Sequence, residues 1–119
     1  MSSKNFRPPS DLKRQILDRL VNVDFVGQRE LAQQLSEVSV RLIDENGSLE
    51  IRGREDAPPA PVDYRIPVEA QTEDSDGMTV ILTLHVVNGR VSELEVIRAD
   101  SKRVLGRLNP TTFTVVTLP

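Results

Sequence analysis

The order of the hydrophobic patterns predicts an α+β domain in which two short helices precede a run of strands. Apolar residues recur at helical spacing up to Leu35, and from Val38 onward they recur at every second position. Two Asn-Gly pairs, Asn46-Gly47 and Asn88-Gly89, separate apolar segments as hairpin turns do. We therefore expect both helices to pack on one face of an antiparallel sheet of five to six strands built from hairpins.

The first helix is predicted to begin after Ser10, because a serine hydroxyl can accept a hydrogen bond from the first helical turn. A second, shorter helix is predicted to open at Gly27, since Glu30 follows three residues later. We expect residues 1–8 to be flexible, as polar chain ends commonly are. The apolar residues that define the two helical faces are Leu12, Ile16, Leu17, Leu20, Val21, Leu31, Ala32 and Leu35.

The apolar segments on either side of Asn88-Gly89 predict one long hairpin that runs from Met78 to Ala99. A two-residue turn would pair Val87 with Arg90 and would place Leu82 opposite Glu95. A three-residue loop with a bulge at Gly89 would keep one face apolar, so we predict the bulged register. That register pairs Leu82 with Leu94 and Val80 with Val96, and it places Ile81 beside Glu95, Thr83 beside Glu93 and His85 near Val91.

A smaller hairpin is predicted from Val38 to Ile51, with Asp44 to Gly47 as its turn. Three prolines within residues 53–63 are incompatible with a regular strand ladder, so this segment is predicted to be an extended loop. Neither flank of the loop is long enough to bury a core of its own. We therefore expect one domain spanning residues 1–119.

Two further strands are predicted after the proline-rich loop. Tyr64 to Ala70 has strand composition, although Pro67 places it at a sheet edge or at a bulge. Glu73 to Gly77 then forms a turn into the long hairpin. Thr111 to Leu118 is rich in β-branched residues and predicts the last strand.

Composition excludes several classes of protein. Cysteine is absent, which excludes disulfides, a thiolate nucleophile and cysteine-ligated metals, and which fits a reducing cytoplasm. No stretch approaches the roughly 20 apolar residues of a membrane span, and Met1 to Arg7 lacks the apolar region of a secretory signal. With few aromatic residues and no conspicuous basic face, binding to nucleic acid is not expected.

Acidic side chains concentrate in the middle of the chain. Residues 44–76 hold ten acidic and three basic side chains, while the net charge of the whole chain is only -3. Glu73, Asp74 and Asp76 before Gly77 resemble a calcium loop. The register fails, because a threonine then occupies both the first and the last ligand position. We predict an acidic turn and no metal site.

His85 is the only histidine and thus the only side chain that ordinarily titrates near neutrality. It could act as a general base with Asp74, Asp76 or Glu93 as its partner, but its strand position favours a half-buried packing role. Glu93 and Glu95 lie about 7 Å apart on one strand face, a separation found in glycoside hydrolases. Without aromatic platforms they are better read as a solvated face. We therefore predict no catalytic residue and no cofactor.

Several short segments resemble a family of small uncharacterised bacterial domains over about residues 28–100. Many members carry a Cys-Gly-Cys-like segment in the first hairpin, where this chain has Asp44 to Gly47. A metal or redox role implied by those cysteines therefore does not extend to this chain. The resemblance implies a single α+β domain and no known activity. The segments are Leu31-Ala32-Gln33-Gln34-Leu35, Ile66-Pro67-Val68-Glu69-Ala70, Asp76-Gly77, Leu84-His85-Val86 and Leu94-Glu95-Val96.

The charge distribution favours a non-enzymatic protein-binding module of a bacterial cytoplasm. Its contact surface is predicted to comprise Glu73, Asp74, Asp76, Glu93 and Glu95. Complementary charge speeds association and suppresses wrong partners, so a basic protein is the expected partner. An immunity protein that neutralises a basic toxin is one concrete form, and a regulatory partner is another.

Two alternatives remain open from the sequence. The chain could be a small-molecule-binding domain or an enzyme, with a pocket between the helices and the sheet. That pocket would be lined by Leu84, Val86 and residues of the first helix and would use His85 as its polar group. The chain could also be a homodimeric structural protein that pairs through an exposed edge such as Phe113 to Leu118.

Overall fold

The computed structural model describes residues 5–117 and shows two helices and six strands in that range. All strand pairs are antiparallel and form one sheet with the order β1-β2-β5-β4-β3-β6. The predicted α+β class and the predicted antiparallel sheet are confirmed. The elements are α1 (Asp11–Val21), α2 (Gln28–Leu35), β1 (Ser39–Leu42), β2 (Leu49–Arg52), β3 (Val68–Glu73), β4 (Thr79–Val87), β5 (Arg90–Arg98), a single 3-10 turn (Pro110–Thr112) and β6 (Thr114–Thr117).

Both helices begin where the sequence predicts. The Ser10 hydroxyl accepts a hydrogen bond from the Lys13 backbone N–H, and Gly27 precedes α2 with a φ of 91°. Helix α1 contacts β3, and α2 contacts β5. One hydrophobic cluster contains the buried residues of both helices and the alternate residues of β4: Ile16, Leu17, Leu20, Val21, Leu31, Leu35, Val80, Leu82, Leu84 and Val86.

The turn of the long hairpin differs from the prediction. Asn88 and Gly89 have φ angles of 52° and 76°, which is the two-residue type I′ geometry, and Val87 pairs with Arg90. The predicted bulge at Gly89 is wrong. The register instead shifts one step further along, where Ser92 on β5 has no partner on β4.

The extra residue Ser92 keeps apolar residues opposite apolar residues. Beyond it, Leu82 pairs with Val96 and Leu84 pairs with Leu94, so the predicted pairing of Leu82 with Leu94 is also wrong. His85 lies opposite Glu93 instead of near Val91. A three-residue loop is predicted from the sequence because it keeps the apolar residues on one face of the hairpin. The actual two-residue turn achieves the same result because the bulge at Ser92 follows it. The other actual pairs are Val80 with Arg98, Ile81 with Ile97 and Thr83 with Glu95.

The smaller hairpin forms as predicted, with Leu42 paired with Leu49. Strand β2 then joins the long hairpin through Leu49 and Leu94, so both hairpins belong to one sheet. Arg7 exchanges two backbone hydrogen bonds with Val40, at 2.9 and 2.7 Å, along the outer edge of β1. Arg7 belongs to the segment 1–8 that the sequence predicts to be flexible. Residues 1–4 of that segment lie outside the described residues.

Strand β3 is an interior strand and lies between β4 and β6. The prediction that Pro67 places this strand at an edge is wrong, because β3 begins at Val68, after the proline. The backbone N–H of Val86 donates to the Arg65 carbonyl instead, at 2.6 Å. Of the predicted last strand, residues 114–117 form β6, whereas Leu118 lies outside the described range.

The proline-rich segment is an irregular loop, as predicted, and one buried glutamine holds it against the hairpin. The Gln34 side-chain amide donates to the carbonyls of Pro58 and Gly89, both at 2.9 Å, and its oxygen accepts from the Val91 N–H at 3.0 Å. A Cβ at position 89 would lie 2.8 Å from the Ala60 carbonyl oxygen. The close approach of the loop therefore requires glycine at that turn position.

Replacing Gln34 with leucine should destabilise the protein while preserving the volume of the side chain. The change leaves the buried Val91 N–H without its partner and also removes the hydrogen bond to the Pro58 carbonyl. We expect the free energy of unfolding to fall by about 2–4 kcal/mol, measured by urea denaturation. The exposed neighbour Gln33 provides the control, since Gln33→Leu should change the free energy of unfolding by less than about 0.5 kcal/mol. Equal effects of the two substitutions would contradict this role.

Candidate functional site

One face of the sheet carries carboxylates from three strands. Glu50 of β2 lies directly opposite Glu93 of β5. Thr83 of β4 lies between Glu69 of β3 and Glu95 of β5 and pairs with both. Directly paired residues project to the same side of a sheet, so these side chains share one surface. We call this surface the polar face. Its acidic and uncharged residues are Glu50, Glu69, Thr83, His85, Glu93 and Glu95, and Arg41 also lies on it because it pairs directly with Glu50.

The polar face contains a like-charged pair. Glutamates that lie directly opposite each other across two strands repel, which costs stability. Glu50 offsets part of this cost through an ion pair with Arg41. Within residues 5–117, Glu93 has neither an ion pair nor a side-chain hydrogen bond. Among the described residues, the Glu93 carboxylate thus lacks the compensating ion pair that Glu50 has.

His85 is held by two charged side chains on this face. Arg65 Nε donates to His85 Nδ1 at 3.1 Å, and His85 Nε2 lies 3.0 Å from Glu95 Oε1. Because a guanidinium only donates, Nδ1 must be the unprotonated nitrogen of the neutral ring. Nε2 then carries the proton and donates to Glu95, whose carboxylate also accepts from Thr83 at 3.3 Å.

The His85 arrangement differs from a nucleophile-activating triad. In such a triad one ring nitrogen takes the proton of the nucleophile while the other donates to a carboxylate. Here Thr83 and Glu95 both contact Nε2, and Arg65 occupies Nδ1. The network therefore orients the Glu95 carboxylate. It does not activate the Thr83 hydroxyl.

The structure does not place His85 in a pocket between the helices and the sheet. Leu84 and Val86, the predicted lining residues, are buried in the hydrophobic core. His85 alternates with them along β4 and so projects to the opposite face. The predicted pocket with His85 as its polar group is corrected accordingly.

The acidic turn is built around a buried arginine of β5. Arg98 donates to Asp74 at 3.0 Å, to Asp76 at 3.0 Å and to Asp100 at 2.7 Å. The Arg98 side chain is only 5% exposed, and that of Asp74 is 0% exposed. Asp74 therefore offers no contact surface and is removed from the predicted one. Glu73 remains exposed, and Asp76 is 43% exposed.

Backbone N–H groups complete the environment of Asp74. Leu105 donates at 2.7 Å, and Gly106 and Ser75 donate at 2.8 Å. Burial by itself raises the pKa of Asp74, but these N–H groups and the Arg98 guanidinium outweigh it and hold the pKa well below its usual range. The Asp74 carboxylate thus fastens the loop after β5 to the turn before β4.

Arg98 and Asp100 shift each other's pKa in opposite directions, and each shift stabilises the charged form. The side-chain hydrogen bond from Arg98 is the main reason that the pKa of Asp100 is lowered. The same bond is the main reason that the pKa of Arg98 is raised. Sequence reasoning missed Arg98, although its position in the alternation with Leu94 and Val96 marks it as an inward residue that requires a buried partner.

The part of the chain that the structure describes holds no group of three or more His, Asp or Glu side chains able to ligate a metal. In the acidic turn, the positive charge among the carboxylates is that of Arg98. Between residues 5 and 117, neither helix has the length and apolar content needed to cross a membrane.

Acid should unfold this protein by protonating the carboxylates around Arg98. Folding lowers the pKa of Asp74 and Asp100, so their contribution is complete above the unfolded pKa of about 3.9 and is lost as the pH falls below it. Asp74→Asn should therefore lower the melting temperature at pH 7 and weaken its dependence on pH below about 5.

The exposed neighbour Glu73 supplies the control for this prediction. Glu73→Gln removes the same charge next to Asp74 but should leave stability at pH 7 within about 0.5 kcal/mol of wild type. Both variants are compared by thermal unfolding between pH 3 and pH 7. An Asp74→Asn protein with the wild-type melting temperature and pH profile would contradict the structural role of this carboxylate.

A domain of unknown function, DUF6984, matches residues 6–107 of the chain. The resemblance to an uncharacterised family is thereby confirmed, and it extends beyond both ends of residues 28–100. The match includes both helices, strands β1 to β5 and the whole polar face, whereas β6 lies outside it. Neither a curated protein nor a solved structure matches the chain. The chain therefore belongs to the DUF6984 family of domains of unknown function.

Proposed function

We propose that this chain is a non-enzymatic protein-binding module whose polar face binds a basic protein. The observation that carries the proposal is the placement of four glutamates from three strands on one sheet face. Two of them, Glu50 and Glu69, come from the acidic middle of the chain. The other two, Glu93 and Glu95, come from the long hairpin.

The arrangement of the helices supports access to the polar face. Buried residues of α1 and α2 belong to the same hydrophobic cluster as Leu82 and Leu84, which face away from the glutamates. We infer from this that both helices pack against that opposite face. The polar face is then free for a partner, and its carboxylates, together with Thr83 and His85, can form hydrogen bonds and ion pairs with a protein surface.

The glutamates of the polar face outnumber its arginines and favour a partner of positive charge. The Glu93 carboxylate, which has no ion pair among residues 5–117, faces the like-charged Glu50, and a lysine or arginine from a partner relieves that repulsion on binding. A carboxylate surface also attracts a basic protein over several ångströms and so speeds their encounter. An immunity-type protein or a regulatory partner of a basic protein fits this description.

The chemistry of the face supports a binding role in preference to catalysis. His85 serves to orient Glu95, and Arg65 occupies the ring nitrogen that a catalytic carboxylate would need. We also propose a bacterial cytoplasmic location, which the cysteine-free sequence supports.

Neutralising two polar-face glutamates should abolish capture of the partner. The tagged protein is incubated at low salt with extract of its source cells, and captured proteins are quantified by mass spectrometry. Wild type should enrich one basic protein, and Glu93→Gln with Glu95→Gln should reduce its recovery at least about tenfold because charge steering and direct ion pairs are both lost.

A matched double variant, with one position on α2 and the other just after it, provides the control for charge. Glu30→Gln with Glu37→Gln changes the net charge by the same amount but leaves the polar face intact, so recovery of the partner should match wild type. Raising the salt concentration should reduce recovery in proportion to the screening of exposed charges. Equal capture by both double variants, or recovery of the bait without a basic companion, would refute the proposal.

A further inference from the structure

Strand β6 forms an unprotected edge of the sheet. In the described part of the chain its only strand partner is β3, whereas the opposite edge is partly covered where Arg7 pairs with Val40. Edge strands are normally protected by charged residues, proline or a bulge. Thr114–Thr117 has none of these, since its sequence is Thr-Val-Val-Thr and its pairing with β3 is regular.

The hydrogen-bonding pattern shows which backbone groups of β6 face outward. The Asp74 N–H donates to the Met78 carbonyl, so even-numbered residues of β3 bond to β4 and odd-numbered residues bond to β6. The partners of the odd-numbered residues are Thr114 and Val116. The N–H and C=O groups of Val115 and Thr117 consequently point away from the sheet.

A groove of about 490 Å³ lies at the end of this edge and includes Thr117 in its lining. Its apolar wall contains Val26 and Tyr64, which are 74% and 50% exposed. Asp24 and Asp63 also line it, and no lysine or arginine within residues 5–117 does. Exposed apolar surface next to two carboxylates fits a side chain that has an apolar stem and a cationic end.

We propose that the β6 edge and this groove together bind an extended peptide segment in which apolar and basic side chains alternate. The backbone of the peptide pairs with the outward groups of Val115 and Thr117 as a seventh strand. A lysine or arginine of the peptide places its aliphatic stem against Tyr64 and its charge beside Asp24 and Asp63.

This site goes beyond the polar face and does not depend on it. Apart from Thr117 of β6, the groove residues come from the segment between the helices and from residues 62–67, and none of them belongs to the polar face. Backbone pairing supplies the affinity for an extended chain, and the two aspartates supply the preference for a basic one. The two surfaces can therefore be disabled separately.

The test uses a capped synthetic peptide of alternating valine and lysine, titrated into the ¹⁵N-labelled full chain. Binding should slow hydrogen exchange at the amides of Val115 and Thr117. Val115→Pro removes one outward donor and should weaken binding at least about tenfold, whereas Val115→Ala retains the N–H and should bind within about twofold of wild type.

Two further variants separate this site from its alternatives. Asp24→Asn with Asp63→Asn should weaken binding at least about fivefold without touching β6, so it remains informative if Val115→Pro does not fold. Glu93→Gln with Glu95→Gln should leave peptide binding unchanged. Peptide affinity that survives the loss of both aspartates, or equal binding of a valine and glutamate peptide, would overturn the proposal. So would light scattering that shows a dimer disrupted by Val115→Pro, because a second copy would then occupy the edge.

Discussion

The unpaired residue at Ser92 is the constraint on which the rest of the sheet depends. The type I′ turn at Asn88-Gly89 alone would continue a register in which leucines face glutamates. Inserting one residue on β5 shifts the pairing by one position and returns apolar residues to one face and glutamates to the other. Because β2 pairs with β5 and β3 pairs with β4, the whole sheet inherits this separation.

Two inward polar side chains then fasten the loops at opposite ends of the long hairpin. Gln34 joins the proline-rich loop to the turn. Arg98 binds the acidic turn through Asp74, and the Asp74 carboxylate in turn accepts from the Leu105 N–H. The acidic side chains in the middle of the chain therefore have two different roles. Asp74 is buried and stabilises the fold, while Glu50 and Glu69 remain on a surface that a partner can reach.

The sequence was sufficient for the elements that depend on local pattern, such as the Ser10 cap and the small hairpin. It was insufficient where distant segments decide the outcome. Both hairpin registers are compatible with an Asn-Gly turn. In the register that the protein adopts, the Val91 N–H also donates to the Gln34 side chain, which lies more than 50 residues away in the sequence. The polar-face position of Glu93 followed from alternation, but the burial of Asp74 required its distant partner Arg98. The groove at Thr117 depends on two loops meeting, which no local pattern records.

The Ser92 bulge separates the apolar face from the acidic face that is proposed to contact a basic partner. The most direct test of this separation is to measure the cross-strand register of the hairpin in solution. Nuclear Overhauser contacts between the α-protons and amide protons of β4 and β5 report that register without any partner or substitution. The account predicts contacts of Thr83 with Glu95 and of His85 with Glu93. Contacts of Leu82 with Glu95 and of Leu84 with Glu93 would show an unbulged hairpin and would contradict the polar face on which the proposed function depends.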